Sequence, residues 1–302
     1  MLSKELACLA AFPLPATRSR AHTLPARMSE QPPVRSNLAL RLLTAAVTVP
    51  LILYSLSVGP HWLFPLLVAI STGFGSLELF KMVMPAHRLA QVWGVLASLT
   101  VFAVVGFNLS STWLNAALIT LICGGMLVSL IAVEPVEHAA SRTGWSIAGP
   151  MYIGGLFGIL VQLFQEANGG AWVLLALLAA FWSDTGGYFA GRKYGKRTLY
   201  KRVSPNKTIE GSIGGLLGAL VGGLLVHFFL LQSVPLLNIV LLTLAAAAAG
   251  QAGDLCESLI KRSTGVKDSG TILPGHGGIL DRVDALLFSA SMVWIYVQLF
   301  SP

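Results

Sequence analysis

The sequence predicts an all-α protein, a polytopic integral membrane helical bundle. Three observations carry that prediction. Of 302 residues, 55% are hydrophobic and only 11% charged, against about 25% charged in soluble domains, and the mean hydropathy is +0.73. Apolar runs of about 18 residues or more recur along the chain, each long enough to cross a hydrocarbon core about 30 Å thick. The 20 Lys and Arg residues fall into alternate segments between those runs, as expected when basic loops are kept on one side of a membrane.

About nine spans are expected on length and hydropathy, near 38–57, 61–82, 89–109, 112–133, 145–165, 171–190, 211–232, 235–260 and 282–300. Pro150 and several glycines interrupt the fifth. The eighth is long, so it tilts or leaves the membrane. Basic residues lie in the segment ending at Arg41, at Lys81 and Arg88, at Arg142, from Arg192 to Lys207, and at Lys261, Arg262, Lys267 and Arg282. The short connections near His61, Asn108, Gln165 and Ser233 carry none. This segregation puts the N-terminus and both large basic loops in the cytoplasm and favours an odd number of spans. Two domains are expected. Residues 1–36, with several Pro and Arg, form a disordered basic tail in which Met28 is an alternative start. Residues 37–302 form the transmembrane domain, with cytoplasmic loops near 191–210 and 261–281.

The net charge of +7 is explained by topology and by the anionic lipid surface, so the bilayer is the expected partner and nucleic acid is not. Cys8, Cys123 and Cys256 are far apart, which gives neither metal-ligand spacing nor a disulfide framework.

Three polar constellations stand out of the apolar background. Charge beside a bilayer is costly and tends to mark function. The first is Trp182–Arg192, in which Asp184, Gly187, Tyr188 and Gly191 share one helix face. The second is the basic segment from Arg192 to Gly211. Gly191–Thr198 resembles a phosphate loop, but it has three residues between its glycines and Arg197 after Lys196, which is the wrong spacing. Ser204-Pro205-Asn206-Lys207-Thr208 is more informative: Ser204 is placed to cap a helix that Pro205 begins, giving an anion site at its N-terminus. The glycines at 211, 214, 215, 218, 222 and 223 suit close helix packing. The third runs from Gln251 to Asp284. Asp254, Glu257, Ser258 and Lys261 line one helical stripe, Pro274-Gly275-His276-Gly277-Gly278 bends the chain, and Asp281 and Asp284 share a face at the start of the last span.

Such residues suit nucleotidyl transfer at a membrane face. Carboxylates at 184, 254, 281 and 284 can hold one or two Mg²⁺ ions against nucleotide phosphates. Cations at 192, 207, 261, 262, 267 and 282 can clamp the remaining phosphate charge.

The stretch from Ser258 to Asp284 resembles the signature of the phosphatidate cytidylyltransferases, the CDP-diacylglycerol synthases. The resemblance extends to Asp184–Gly191, to Ser204–Gly211, to Gly253-Asp254-Leu-Cys-Glu257-Ser258 and, more weakly, to Glu78-Leu-Phe. Asn206 departs from it, standing where the family has Lys. The resemblance implies a cytidylyl transfer from CTP to phosphatidic acid that releases pyrophosphate, in the inner (cytoplasmic) membrane with the active site on its cytoplasmic face. It implies Asp254 and Asp281, then Asp284 and Asp184, as Mg²⁺ ligands. Asp254, Asp281, Lys267 and His276 would be catalytic. Lys207, Ser204, Lys261, Arg262, Arg282, Ser258, Arg192, Gly277 and Gly278 would bind substrate or shape its loop. A homodimer is left open. Two alternatives remain: a sibling CTP-dependent enzyme acting on another lipid (a CDP-archaeol synthase or a polyprenol or phytol kinase), and an anion transporter.

Overall fold

The computed structural model describes residues 38–132, 135–270, 272 and 277–300, with side chains from Thr44 onward. The expected tail, Cys8, Pro274, Gly275 and His276 lie outside the described residues. The chain forms α1 (Leu38–Ser57), α2 (Leu63–Val83), α3 (Arg88–Gly106), α4 (Ser111–Ile131), α5 (Ala139–Pro150), α6 (Leu156–Gln165) and α7 (Gly169–Tyr194). A hairpin of β1 (Thr198–Tyr200) and β2 (Ser204–Thr208) follows, then α8 (Ile209–Phe229), α9 (Leu236–Ser263) and α10 (Leu280–Phe300). Hydrocarbon offers the backbone no water to bond, so the spanning segments satisfy their N–H and C=O groups within helices.

Among the described residues eight helical segments are long and apolar enough to cross a membrane, the stretch from Val136 to Gln165 counting as one. The ninth expected span is α1, whose apolar stretch among the described residues is Thr44–Ser57, below spanning length. The interruption expected in the fifth span is a single π-helical turn at Met151–Gly155, directly after Pro150. Proline cannot donate to the ladder, and a wider turn accommodates the defect. The expected long eighth span is α9, at 28 residues.

α7 and α8 pack together more extensively than any other pair, followed by α9 and α10. The glycine faces allow the first of these contacts. A Cβ on Gly186 would come 2.5 Å from the Gly214 carbonyl oxygen, and one on Gly214 would come 2.1 Å from Ala190 Cβ. Small residues on both faces therefore let the two backbones approach. Phe157, Leu175, Ile239 and Leu287 are fully buried in one core shared by α2, α3, α6, α7, α9 and α10.

Ser204 does not cap a helix begun by Pro205: Ser204–Thr208 is a strand, paired antiparallel with β1 in the register Thr198↔Thr208 and Tyr200↔Ser204. Both strands of a two-stranded sheet are edges, where proline is tolerated. α8 begins at Ile209, and its cap is Thr208, whose Oγ1 accepts from Gly211 N–H at 3.0 Å.

Candidate active site

The C-terminal half of α7, the hairpin, the start of α8 and the middle of α9 enclose a cavity of about 520 Å³, within the range of about 300–1,000 Å³ typical of small-molecule sites. Asp184, Gly187, Tyr188, Gly191 and Arg192 line it from α7, Ser204, Asn206 and Lys207 from β2, Ser212 from α8 and Gln251 from α9. The expected face of α7 thus becomes one wall. A larger cavity, about 940 Å³, lies at the other end of α7, lined by residues such as Trp62, Phe107, Phe164 and Glu166 but by no Lys or Arg. Among the described residues its lining offers no permanent cation with which to hold phosphate.

The hairpin carries Lys207 to the cavity edge, where its ammonium donates to Asp254 Oδ2. Ser258, one turn further along α9, donates to Asp254 Oδ1 at 3.4 Å. Asp184 lies within electrostatic range of Asp254, Asp284, Lys207 and Arg282. Arg192 donates to the Tyr188 hydroxyl at 2.9 Å. Glu210, in the first turn of α8, accepts from the backbone N–H groups of Lys196 and Arg197 at 3.1 and 3.2 Å. It fixes the base of the hairpin, and hence the approach of Lys207. The Gln251 amide joins three helices: it donates to Ser183 Oγ at 3.0 Å and to the Ser212 carbonyl at 3.1 Å, and accepts from the Ser212 hydroxyl.

A second ionic group lies further along α9. Lys261 donates to Asp281 Oδ1 at 2.7 Å and faces Glu257 Oε2 at 3.4 Å. Glu257 is fully buried, and neither of its oxygens accepts a hydrogen bond. Asp281 Oδ2 accepts from the N–H groups of Ser269 and Gly278 at 2.9 and 3.0 Å. Asp284 is buried beside this group, within electrostatic range of Asp254 and Lys261. Gly277 adopts φ +80°, a backbone conformation that glycine reaches without steric penalty.

The structure therefore places Asp184 and Lys207 in the cavity lining, brings Asp254 against Lys207 at its edge, leaves Asp284 buried behind it, and joins Asp281 to Lys261. Arg262 donates to the Val203 carbonyl at 3.3 Å, so it braces the hairpin. Lys267 and Arg282 are exposed beyond the cavity lining. Gln251, Glu257 and Glu78 have structural places that the sequence-derived set omits. The available signal was their polarity inside apolar helices.

Donor chemistry decides whether Mg²⁺ suits these residues. It takes oxygen ligands, commonly one or two carboxylates with substrate phosphates and water completing the shell. Among the described residues no three His, Cys, Asp or Glu side chains converge as a closed metal site. Two accessible carboxylates, Asp184 and Asp254, next to a cation-lined cavity fit the open, substrate-completed kind.

A sequence profile of the cytidylyltransferase family matches residues 39–300. The chain belongs to this family. The phosphatidate cytidylyltransferase of Staphylococcus haemolyticus (strain JCSC1435) is 34% identical over 253 residues, covering 82% of this chain and 95% of that protein. That of Brucella suis biovar 1 (strain 1330) is 34% identical over 273 residues, 88% of this chain and 95% of that protein. That of Bacillus subtilis (strain 168) is 40% identical over 161 residues, 53% of this chain and 60% of that protein. Membership of the cytidylyltransferase family bears out the resemblance and makes the chain a membrane-embedded nucleotidyltransferase.

Proposed function

We propose that the protein transfers the cytidylyl group of CTP to phosphatidic acid, giving CDP-diacylglycerol and pyrophosphate. The observation that carries this is the cavity in which a basic hairpin brings Lys207 against Asp254, with Asp184 on the opposing helix, in a chain of this family. An ionised oxygen of the lipid phosphate attacks the α-phosphorus of CTP. The new P–O bond forms as the bond from that phosphorus to the bridging oxygen of the β-phosphate breaks, and pyrophosphate leaves with the electron pair. The nucleophile arrives already ionised, so no general base is needed.

Lys207 and Arg192 balance phosphate charge from the hairpin side, and Ser204 and Asn206 offer polar contacts there. Asp254, with Asp184 and Asp284 near it and Asp281 beyond, supplies the hard oxygen ligands for one or two Mg²⁺ ions. A carboxylate oxygen with one donor retains a lone pair, so Asp254 Oδ1 and Asp281 Oδ1 still have capacity. Bound Mg²⁺ would neutralise the phosphate charge that otherwise repels the nucleophile. Lys261 holds Asp281 in place, and Lys267 and Arg282 are cations for the outer phosphates. The hairpin side is the basic side of the bundle, which supports a cytoplasmic active site and N-terminus in a bacterial inner membrane.

The test is product analysis with purified protein in detergent, phosphatidic acid, Mg²⁺ and CTP labelled at either the α or the γ phosphate. The expected result is α-label in lipid with pyrophosphate released. γ-Label in lipid would instead make the protein a CTP-dependent lipid kinase.

A further inference from the structure

Glu78 lies in α2, outside the cavity lining, and is 2% exposed. A carboxyl group taken this far from water is destabilising unless donors surround it. Here they do. Ile279 N–H donates to Oε1 at 3.0 Å, Leu280 N–H to Oε2 at 2.9 Å, and the Ser269 hydroxyl to Oε2 at 3.3 Å. The two amides belong to the start of α10, where N–H groups lack helical partners and the helix dipole favours negative charge. The donors come from opposite ends of the segment joining α9 to α10: Ser269 near its beginning, Ile279 and Leu280 at its end.

Ser269 links the same carboxylate to the site. Its N–H donates to Asp281 Oδ2 at 2.9 Å, and its Oγ accepts from Asp281 N–H at 3.4 Å. The glycines flanking the segment leave room for Glu78. A Cβ on Gly270 would come 2.6 Å from Glu78 Oε1; one on Gly278 would come 2.7 Å from Glu78 Oε2 and 2.0 Å from Ser269 Oγ. A side chain on Gly270 would thus meet the Glu78 carboxylate, and one on Gly278 would meet Ser269 first and then Glu78.

We propose that Glu78 is a positioning residue. It clamps both ends of the segment from 269 to 281 and thereby sets the Asp281 carboxylate, and through it Lys261, for cytidylyl transfer. The catalytic part of this proposal rests on the activity proposed above.

Glu78→Gln keeps the shape but turns one acceptor into a donor that faces N–H groups. A misplacement of about 1 Å at a reacting centre lowers rate by about 100-fold. The expected result is a kcat loss of that order with the KM for CTP unchanged. Glu78→Asp, which keeps the charge on a shorter stem, should recover part of it. Amide hydrogen exchange on the full-length protein should show faster exchange at Ile279 and Leu280, with Leu287 in the interior of α10 as protected as in wild type. Gly270→Ala should lower kcat in wild type and add nothing in a Glu78→Ala background. Wild-type kcat in Glu78→Gln, unchanged protection at Ile279 and Leu280, or losses that multiply in the Gly270 and Glu78 double variant would each overturn the proposal. Should Glu78→Gln not fold, Ser269→Ala removes only one donor. It must then lower kcat at constant KM, and wild-type kcat there would overturn the proposal. The exchange measurement needs no substrate, so its failure is distinct from failure of the wild-type protein to move α-label into lipid.

Discussion

Two lysine–carboxylate pairs lie along α9, and they differ in access to water. In the first, Lys207 and Asp254 are 33% and 21% exposed and sit at a cavity edge. In the second, Lys261 and Asp281 are 12% and 11% exposed, with the fully buried Glu257 as a third member. The same residue types therefore do different work. An accessible pair can separate when an anionic ligand arrives, because water and ligand replace the lost partner. A buried pair stays closed, since parting its charges leaves each without solvation. The first suits substrate exchange; the second holds the start of α10 in place.

Substitutions at the two pairs should have unequal effects on stability and rate. Lys261→Met should have the largest effect, because it leaves Asp281 and Glu257 without their cation. Removing one partner of a buried pair destabilises by about 3–5 kcal/mol, so thermal unfolding in detergent should show a large fall in Tm. A Tm near wild type would mean that the second group is as open as the first. Asp254→Asn should leave the Tm nearly unchanged, since a partly exposed pair contributes about 0–1 kcal/mol, while kcat falls by about 100-fold or more. Equal loss of stability and of rate would erase the distinction. Lys207→Met should again spare the fold and raise the KM for CTP by about tenfold, the worth of one charge-assisted hydrogen bond. An unchanged KM would remove Lys207 from substrate binding. Arg262→Ala should do least. Arg262 is exposed and makes one long, part-buried contact with the Val203 carbonyl, so the loss should be near the low end for a hydrogen bond, about 0.5 kcal/mol. A tenfold loss of activity there would place Arg262 in the phosphate-binding set.

Much of the bundle was legible because it depends on local properties. Eight of the nine expected spans appear as spanning helices, and α1 occupies the ninth range with a shorter described apolar stretch. The face holding Asp184, Gly187, Tyr188 and Gly191 lines the cavity together, as 3.6-residue periodicity requires. The stripe from Asp254 to Lys261 is likewise intact: Ser258 bonds Asp254, and Lys261 faces Glu257. Ser204-Pro205 is ambiguous in sequence because proline at a helix start and proline in an edge strand share the same fixed φ. Pairing with β1 decides between them, and that pairing lies outside the dipeptide.

Composition and periodicity alone are enough to identify a membrane helical bundle and the approximate ranges of its spans, and the residue order itself carries the family motifs. Hydropathy and helical spacing act over one span or a few turns, so a linear pattern records them. Which cation meets which carboxylate, and the capping of α10 by Glu78 of α2 from 201 and 202 residues away, emerge from helix packing alone. Burial sets the strength of each charge interaction, and burial exists only once the helices have packed.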